Sequence, residues 1–557
     1  MGTLIVPSIS RAEVEGNRWP TLGDQVINFI EKWCVYGPGS LKGEQAQLNA
    51  DQKTLILRAY EHFPRDHPRA GRRRFQRVNW SVRKGSAKTE TMAWIAFAEL
   101  HPEAPVRFNG YLPDGTLAPG RAVRDPYIPL LAATQEQVAE LAYGALMVMC
   151  EEHPEYFDVS LERIIRIGMD GRPDGKAVPI AGAPSARDGA RTTFNGFDET
   201  HRLYLPNHKS AIATMNANLP KRPMEDPWSM STTTAGQPGQ GSQAEDDYRE
   251  AEAIDRGQVE RPSLFFMHRQ ASDGYDLSDF DQRVEAVREA SGPDVAEWSD
   301  LEGIAAQWEN PQVDKSLLER LWLNRWTQSD AQAFNLAAWE AAELRTDDDE
   351  PEKIRRGARV TVGFDGARRR DATAFVLTDI KTGFQEIAGL WERPLMLAES
   401  EEWEVPEEEV TAKLLEIMRT YRVQRVYCDP PYWNSTVGEW AARWPDKVEE
   451  WWTNRTRYMV KAVSEYADAI ATGKVSHGGD PDLTRHIGNA GKHKTNLTDV
   501  DTGEKQHILG KMHPDRKFDA AMAGCLSWKA RTDLLTKPSK ADLKKAARGR
   551  GRVARIR

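Results

Sequence analysis

The sequence predicts an α/β protein of two domains, each a sheet with helices packed against it. Three observations lead there. Strand-like and helix-like segments alternate through the first part of the chain, the pattern of a largely parallel sheet flanked by helices. A charged, Pro-containing stretch, RTDDDEPEKIRRG, then breaks the pattern at residues 345–357. Beyond it the order resets to β-β-β-α-β. The length, 557 residues, exceeds the roughly 250–300 that one core usually reaches. The expected organisation is a first domain over 1–345, with a helical subdomain at about 300–345; a linker over 346–358; a second domain over 359–535; and a tail over 536–557.

The elements follow in order. LNADQKTLILRAYEHF, from Leu48, has helical spacing. GRRRFQRVNWSVRKGSAKTETMAWIAFAEL reads as a short strand, a loop and a helix. DPYIPLLAATQEQVAELAYGALMVMC repeats that plan, with a strand to Ala133 and a helix from about Gln135. LERIIRIGM and KAVPIAGAP read as a β pair. RTTFNGFDETHRL carries a strand ending at Asp198 and Glu199, though Thr193, Asn195 and Gly196 fall where apolar residues are expected. A helical region is expected from Asp314 to Leu344, with Trp322, Trp326, Phe334 and Trp339 in the core. Past the linker, ARVTVGFDG is a strand, and ATAFVLTDIKTGFQEIAGLWER is two strands around a Lys-Thr-Gly turn. EEEVTAKLLEIMRTYR is an amphipathic helix, VQRVYCDPP another strand, and KFDAAMAGCLSWKAR the last helix. That is the order of a ribonuclease H-like core. The tail has nine Lys or Arg against one acid, Asp542, and reads as a disordered basic arm.

Composition removes several classes. Cys34, Cys150, Cys428 and Cys525 lie far apart and form no C-x-x-C, so neither a disulfide framework nor a zinc site is expected. No run approaches the roughly 18 apolar residues of a membrane span, and the N-terminus does not have the layout of a signal peptide. A soluble, intracellular protein is expected. The net charge of −9 gives no global sign of nucleic-acid binding, but a local basic stripe can serve an acidic protein.

VRKGSAKTE, Val82 to Glu90, resembles a phosphate loop with altered glycines. A phosphate loop aims backbone N–H groups at phosphates from a helix N-terminus and adds a lysine for the outer phosphates. Here Arg83, Lys84, Gly85, Ser86 and Ala87 would form the loop, Lys88 would reach the phosphates and the Thr89 hydroxyl would hold Mg²⁺. On the loop alone, a basic turn capping a helix is an equally good reading. FDETH shifts the balance: Asp198 at a strand end suits a Mg²⁺-holding acid, and Glu199 the acid that positions the attacking water. Gln52 suits an adenine reader, with an exposed helix glutamine as the alternative. Thr232, Thr233 and Thr234, in STTTAG, suit sensors of the γ-phosphate; a plain Thr-rich strand end is the alternative.

The second domain spaces three aspartates at element ends: Asp365, Asp429 and Asp519. Two-metal nucleases converge such carboxylates on Mg²⁺ ions about 3.5–4 Å apart. Each alone reads as a cap or turn residue; the set of three is harder to dismiss. Asp371 is a candidate neighbour of the site, and Asp515 reads as part of an N-cap region. His477, His486, His507 and His513, with Lys492, Lys511, Arg516 and Lys517, suggest a DNA-facing rim, ordinary surface charge being the alternative.

Together these motifs resemble the large terminase subunit of tailed bacteriophages, over about Gln52 to Asp519. VRKGSAKTE resembles that family's Arg- and Lys-rich phosphate loop, FDETH its Walker B acids, and STTTAG its coupling motif. DGARRRDATA, CDPPYW and KFDAAMA resemble its three nuclease segments, and RLWLNRWTQS its helical stretch before the linker. The resemblance implies a RecA-like (ASCE) P-loop ATPase domain followed by a ribonuclease H-like nuclease. It implies ATP and Mg²⁺, with Mn²⁺ able to substitute in the nuclease, and ATP-driven movement of double-stranded viral DNA into procapsids with cutting of concatemers. The implied partners are DNA, a portal protein, a small terminase subunit and further copies in a ring on the procapsid. The implied place is the bacterial host cytoplasm, with the protein absent from the mature virion. An arginine finger could be Arg83 or come from a neighbouring subunit. Rival readings are a transposase- or integrase-like nuclease, a helicase-type translocase with an inactive second domain, and a DNA-binding scaffold.

Overall fold

The computed structural model describes residues 3–9, 19–133, 142–168, 170–181, 189–260, 263–310, 313–327, 332–369, 371–394, 402–498, 505–512 and 516–536. It divides into two compact units, Met1–Ser329 and Asp330–Arg557. The expected basic tail, the start of the helix expected from Gln135, His513 and Asp515 lie outside the described residues.

The strands of the first unit are β1 (Thr3–Val6), β2 (Arg77–Ser81), β3 (Tyr127–Ala132), β4 (Phe157–Val159), β5 (Ile164–Ile167), β6 (Pro173–Ala181), β7 (Phe194–Phe197), β8 (Trp228–Thr233) and β9 (Leu264–Arg269). They form one sheet in the order β1-β9-β2-β8-β7-β3-β6-β5-β4. From β9 to β6 every neighbour is parallel; β1 at one edge and β5 and β4 at the other are antiparallel. The order is informative: β8 lies between β2, which leads into the phosphate-loop-like segment, and β7, which ends at Asp198. An extra strand between those two is the RecA-like arrangement. The helix Lys88–Leu100 follows β2 and is apolar nearly all round. Met92, Trp94, Ile95 and Phe97 are at most 1% exposed, so it is buried against the sheet on almost every face.

The polar residues around β7 have local reasons. The Thr193 hydroxyl bonds the backbone of Tyr127, and Asn195 Nδ2 donates to the Met215 carbonyl at 2.9 Å. At Gly196 a Cβ would stand 2.5 Å from Leu130 Cδ2 and 3.0 Å from Met92 Sδ, so only glycine lets the helix and β3 approach this closely.

The second unit contains β10 (Arg359–Gly366), β11 (Thr373–Asp379), β12 (Phe384–Trp391), β13 (Arg422–Cys428), β14 (Val448–Glu450) and β15 (Ser476–His477), in the order β14-β13-β10-β11-β12-β15. β10, β11 and β12 form an antiparallel meander; β13 lies parallel to β10 and β14 parallel to β13. This is the ribonuclease H-like sheet that the segment order predicts. The Lys-Thr-Gly turn forms because Asp379 Oδ1 accepts from the N–H groups of Lys381 and Thr382, and Gly383 takes φ 81°. A separate hairpin pairs β16 (Ala490–Thr498) with β17 (Lys505–Lys511).

The structure moves the expected boundary. Residues 332–345 belong to the second unit, not to a helical subdomain of the first. Phe334, Leu336 and Trp339 sit in one apolar cluster with Met459, Tyr466, Leu483 and Ile487. Trp339 stacks on His477 at 4.1 Å and donates its indole N–H to Thr484 Oγ1 at 3.1 Å. The region expected as one helical stretch from Asp314 is a short helix, Lys315–Leu318, a π-helical turn, Glu319–Leu323, and a left-handed Asn324. The helix Leu336–Ala341 then forms in the other unit.

Candidate functional site

The phosphate-loop-like segment bends from β2 into the helix that starts at Lys88. Gly85 takes φ 80°, which glycine adopts freely. Ala87 also takes a left-handed conformation, φ 55° and ψ 33°, so the alanine stands where the backbone favours glycine. Lys88, 5% exposed, donates to the carbonyls of Val82 and Arg83 at 3.3 and 3.1 Å. Burial holds its pKa below the usual lysine value, while the carboxylates of Glu199 and Asp198 pull the other way. Lys84 is exposed, and its backbone N–H donates to the Leu321 carbonyl at 2.7 Å.

Thr89 and Asp198 meet directly. Thr89 Oγ1 donates to Asp198 Oδ2 at 2.9 Å, and Thr232 Oγ1 donates to Asp198 Oδ1 at 2.6 Å. Burial, then the neighbouring Glu199 charge, raises the pKa of Asp198. Glu199 sits in a left-handed conformation, φ 52°. Burial opposes its charge, but the His201 bond and the Lys88 charge prevail and its pKa is lowered. His201, the last residue of FDETH, is a further member of the site that the sequence pattern does not single out. Its Nδ1 lies 3.1 Å from Glu199 Oε2, 3.2 Å from Thr233 Oγ1 and 3.3 Å from Thr234 Oγ1. The three threonines thus reach both acids, Thr232 directly and the other two through His201.

Two expectations fail here. Gln52 is not placed to read a base: it is 2% exposed, its Oε1 accepts from Asn49 N–H in a capping box, and its Nε2 donates to Thr91 Oγ1 at 2.8 Å. Arg83 does not face a phosphate position either. Its guanidinium is 1% exposed and bonds Ser291 Oγ, Ser299 Oγ and the Lys84 carbonyl, which ties the loop to the helices Phe280–Ser291 and Pro293–Trp298. Burial pushes its pKa down to about 10.

The loop's chemistry fits an anion. Ser86 Oγ is buried and meets no hydrogen-bond partner among the described residues. The helix N-terminus and Lys88 supply positive potential beside it, and Thr89 with Asp198 offers hard oxygens suited to Mg²⁺.

In the second unit Asp365 lies near the end of β10, Asp429 follows β13, and Asp519 opens the helix Asp519–Thr536. Desolvation, then the charges of Asp519, Asp429 and Asp371, pushes the pKa of Asp365 well above the carboxylate range. Asp519 is pushed up to about 7 by burial and by Asp371. Asp429 is raised by burial, against hydrogen bonds from Thr453 N–H at 3.1 Å and Thr453 Oγ1 at 2.6 Å. Asp371 pairs with Lys511. Buried carboxylates with raised pKa values suit a divalent cation, which would favour their charged forms. Among the described residues, however, no group of three or more His, Cys, Asp or Glu side chains is arranged to hold a metal ion.

Two histidines of the expected rim are also corrected. His477 and His486 are 2% and 0% exposed. His477 Nε2 bonds the Trp339 carbonyl, and His486 lies between Glu392 and the backbone of Ala520. Arg516 is buried, whereas Lys492 is exposed on the hairpin.

No family model matches the chain. The Gene 13 protein of Mycobacterium phage L5 is 24% identical over 512 residues, 85% of this chain and 81% of that protein. The HK97 bacteriophage large terminase is similar in structure at a TM-score of 0.47 and 18% identity, over 91% of this chain and 99% of that one. The large terminase nuclease of thermophilic phage G20c with bound magnesium is similar over 36% of this chain and 97% of that one, at a TM-score of 0.27 and 14% identity.

Proposed function

We propose that this chain is a large terminase subunit: an ATPase that drives double-stranded viral DNA into a procapsid, joined to a metal-dependent endonuclease that cuts the DNA. The observation that carries the reading is the bonded path Thr89–Asp198–Thr232. It ties the loop helix, the metal-holding acid and the inserted strand β8 into one unit, in a chain whose second unit carries Asp365 on β10, Asp429 after β13 and Asp519 at the start of a helix.

In the first unit, Lys88 and the loop N–H groups would hold the phosphates of ATP, and Thr89 and Asp198 would hold Mg²⁺, which when bound neutralises phosphate charge. Glu199 orients the attacking water. His201 holds Glu199 and is itself bonded to Thr233 and Thr234, so loss of the γ-phosphate has a direct route to β8. In the second unit, Asp365, Asp429 and Asp519 would hold Mg²⁺ or Mn²⁺, which supplies an activated water and stabilises the phosphodiester charge. Thr453 fixes the direction of Asp429. DNA grip by backbone phosphates would be independent of sequence and weakened by salt. The portal, the small subunit, a ring of further copies and action inside the infected bacterium belong to the same proposal.

The test pairs two assays on the full chain. Plasmid cleavage with Mn²⁺ or Mg²⁺ is expected to disappear in Asp365→Ala and Asp429→Ala while DNA-stimulated ATPase survives. Lys88→Ala is expected to lower ATPase at least about 100-fold while cleavage survives. Cleavage unchanged in both aspartate variants, or ATPase unchanged in Lys88→Ala, would sink the reading.

A further inference from the structure

The position of Asp519 depends on where its helix begins. The first N–H groups of a helix have no acceptor within it. Here the Ala520 N–H, next to Asp519, donates to His486 Nδ1 at 3.0 Å. Nδ1 is therefore an acceptor, and the hydrogen-bond network assigns the proton to Nε2, which lies 2.8 Å from Glu392 Oε1. Glu392 follows β12 and is also bonded by Arg485 at 3.0 Å. Three residues beyond His486, on the same face of the helix Pro481–Asn489, Asn489 donates Nδ2 to the Lys517 carbonyl at 2.9 Å. His486 is 0% and Asn489 5% exposed. One nine-residue helix thus holds the backbone on both sides of Asp519, at Lys517 and at Ala520.

We infer that the helix Pro481–Asn489 is a clamp that positions Asp519: His486, backed by Glu392, and Asn489 together set where that carboxylate stands. The inference rests on the nuclease reading above. It makes His486 and Asn489 positioning residues, since neither reaches the carboxylate itself. The Ala372 N–H donates to the carboxylate itself, at 3.3 Å from Asp519 Oδ2. A clamp of this kind acts on metal affinity, because a ligand displaced by a fraction of an ångström no longer matches its partners. A helix that only filled space would change stability and leave the metal unaffected.

The experiment uses the full chain and Mn²⁺ as probe. Free Mn²⁺ is followed by electron paramagnetic resonance, and plasmid cleavage is measured over the same titration. The sites lost in Asp519→Asn identify the relevant binding. His486→Ala is expected to raise half-saturating Mn²⁺ about tenfold in both measurements, with DNA-stimulated ATPase retained as evidence of a folded chain. His486→Asn keeps an oxygen able to accept from Ala520 but cannot reach Glu392, so it should recover part of the affinity. Asn489→Ala should shift in the same direction by less. Native Mn²⁺ affinity in His486→Ala overturns the clamp. If that variant does not fold, native affinity in both His486→Asn and Asn489→Ala overturns it equally. If the unaltered chain binds no Mn²⁺ through Asp519 and cuts nothing, the nuclease reading itself fails and the clamp falls with it. If Asp519→Asn loses binding while the clamp variants keep it, the nuclease stands and the clamp does not.

Discussion

Ala87 occupies the left-handed backbone region, φ 55° and ψ 33°, which disfavours any side chain with a Cβ by about 1–2 kcal/mol relative to glycine. Ala87→Gly is therefore expected to stabilise the first unit by about 1 kcal/mol, read as a higher urea midpoint at unchanged slope. A lower midpoint would mean that the methyl group makes contacts worth more than the strain. The same position shows why the loop was ambiguous in sequence: Ala87 replaces a glycine of the pattern, yet the backbone still turns as the pattern requires. Gln52 fails for the opposite reason. A glutamine three residues after Asn49 satisfies a capping box, and a capped glutamine has little left for a ligand. The Asn-x-x-Gln spacing carries that capping signal in the sequence.

Elements were legible where their reasons are local. The meander of β10, β11 and β12 follows from two apolar, β-branched runs joined by an Asp-Ile-Lys-Thr-Gly turn. β7 was hard to read because Thr193, Asn195 and Gly196 answer to Tyr127, Met215, Leu130 and Met92, which are remote in sequence. Gly363 records a similar long-range demand. A Cβ there would stand 1.9 Å from the Ala523 carbonyl oxygen, because the helix Asp519–Thr536 rests directly on β10. Gly363→Ala should destabilise the second unit by about 3 kcal/mol, the upper part of the usual range for overpacking. A lowered urea midpoint for the second unit with the first unit's transition unchanged would show this; an unchanged midpoint would contradict it. The helix Pro481–Asn489 also has a pH signature at Glu392. Burial opposes the charge of Glu392, but the His486 bond and the Arg485 charge prevail and hold it down at about 2, against 4.5 for an ordinary glutamate. A depressed acid contributes stability above its unfolded pKa and loses it as the pH falls toward its folded one. The stability gap between the native chain and Glu392→Gln should thus be full above about pH 4.5 and shrink toward about pH 2. Urea midpoints at several pH values measure it, and a gap that widened in acid would refute the sign.

The charged stretch at residues 345–357 looked like the natural place to divide the molecule, because charge and proline mark linkers by composition alone. Composition does not report what the flanking apolar residues bury against. Phe334, Leu336 and Trp339 are 2%, 2% and 0% exposed, and they share a cluster with residues more than a hundred positions downstream. Even the stretch itself is partly internal, since Ile354 is buried with Val360 and Phe375. A fragment of residues 332–536 should therefore fold cooperatively, whereas 346–536 should not. Full burial of each large apolar side chain is worth about 1.5–3 kcal/mol, so removing three forfeits about 5–9 kcal/mol. That is comparable to the whole stability of a typical domain, about 5–15 kcal/mol. The shorter fragment would also expose the face of His477 that Trp339 covers and leave its Nε2 without the Trp339 carbonyl. Circular dichroism melts of the two fragments decide the matter. A sharp transition in the longer one alone supports the boundary at Ser329 and Asp330, and equal transitions in both would restore the linker to the place its composition suggests.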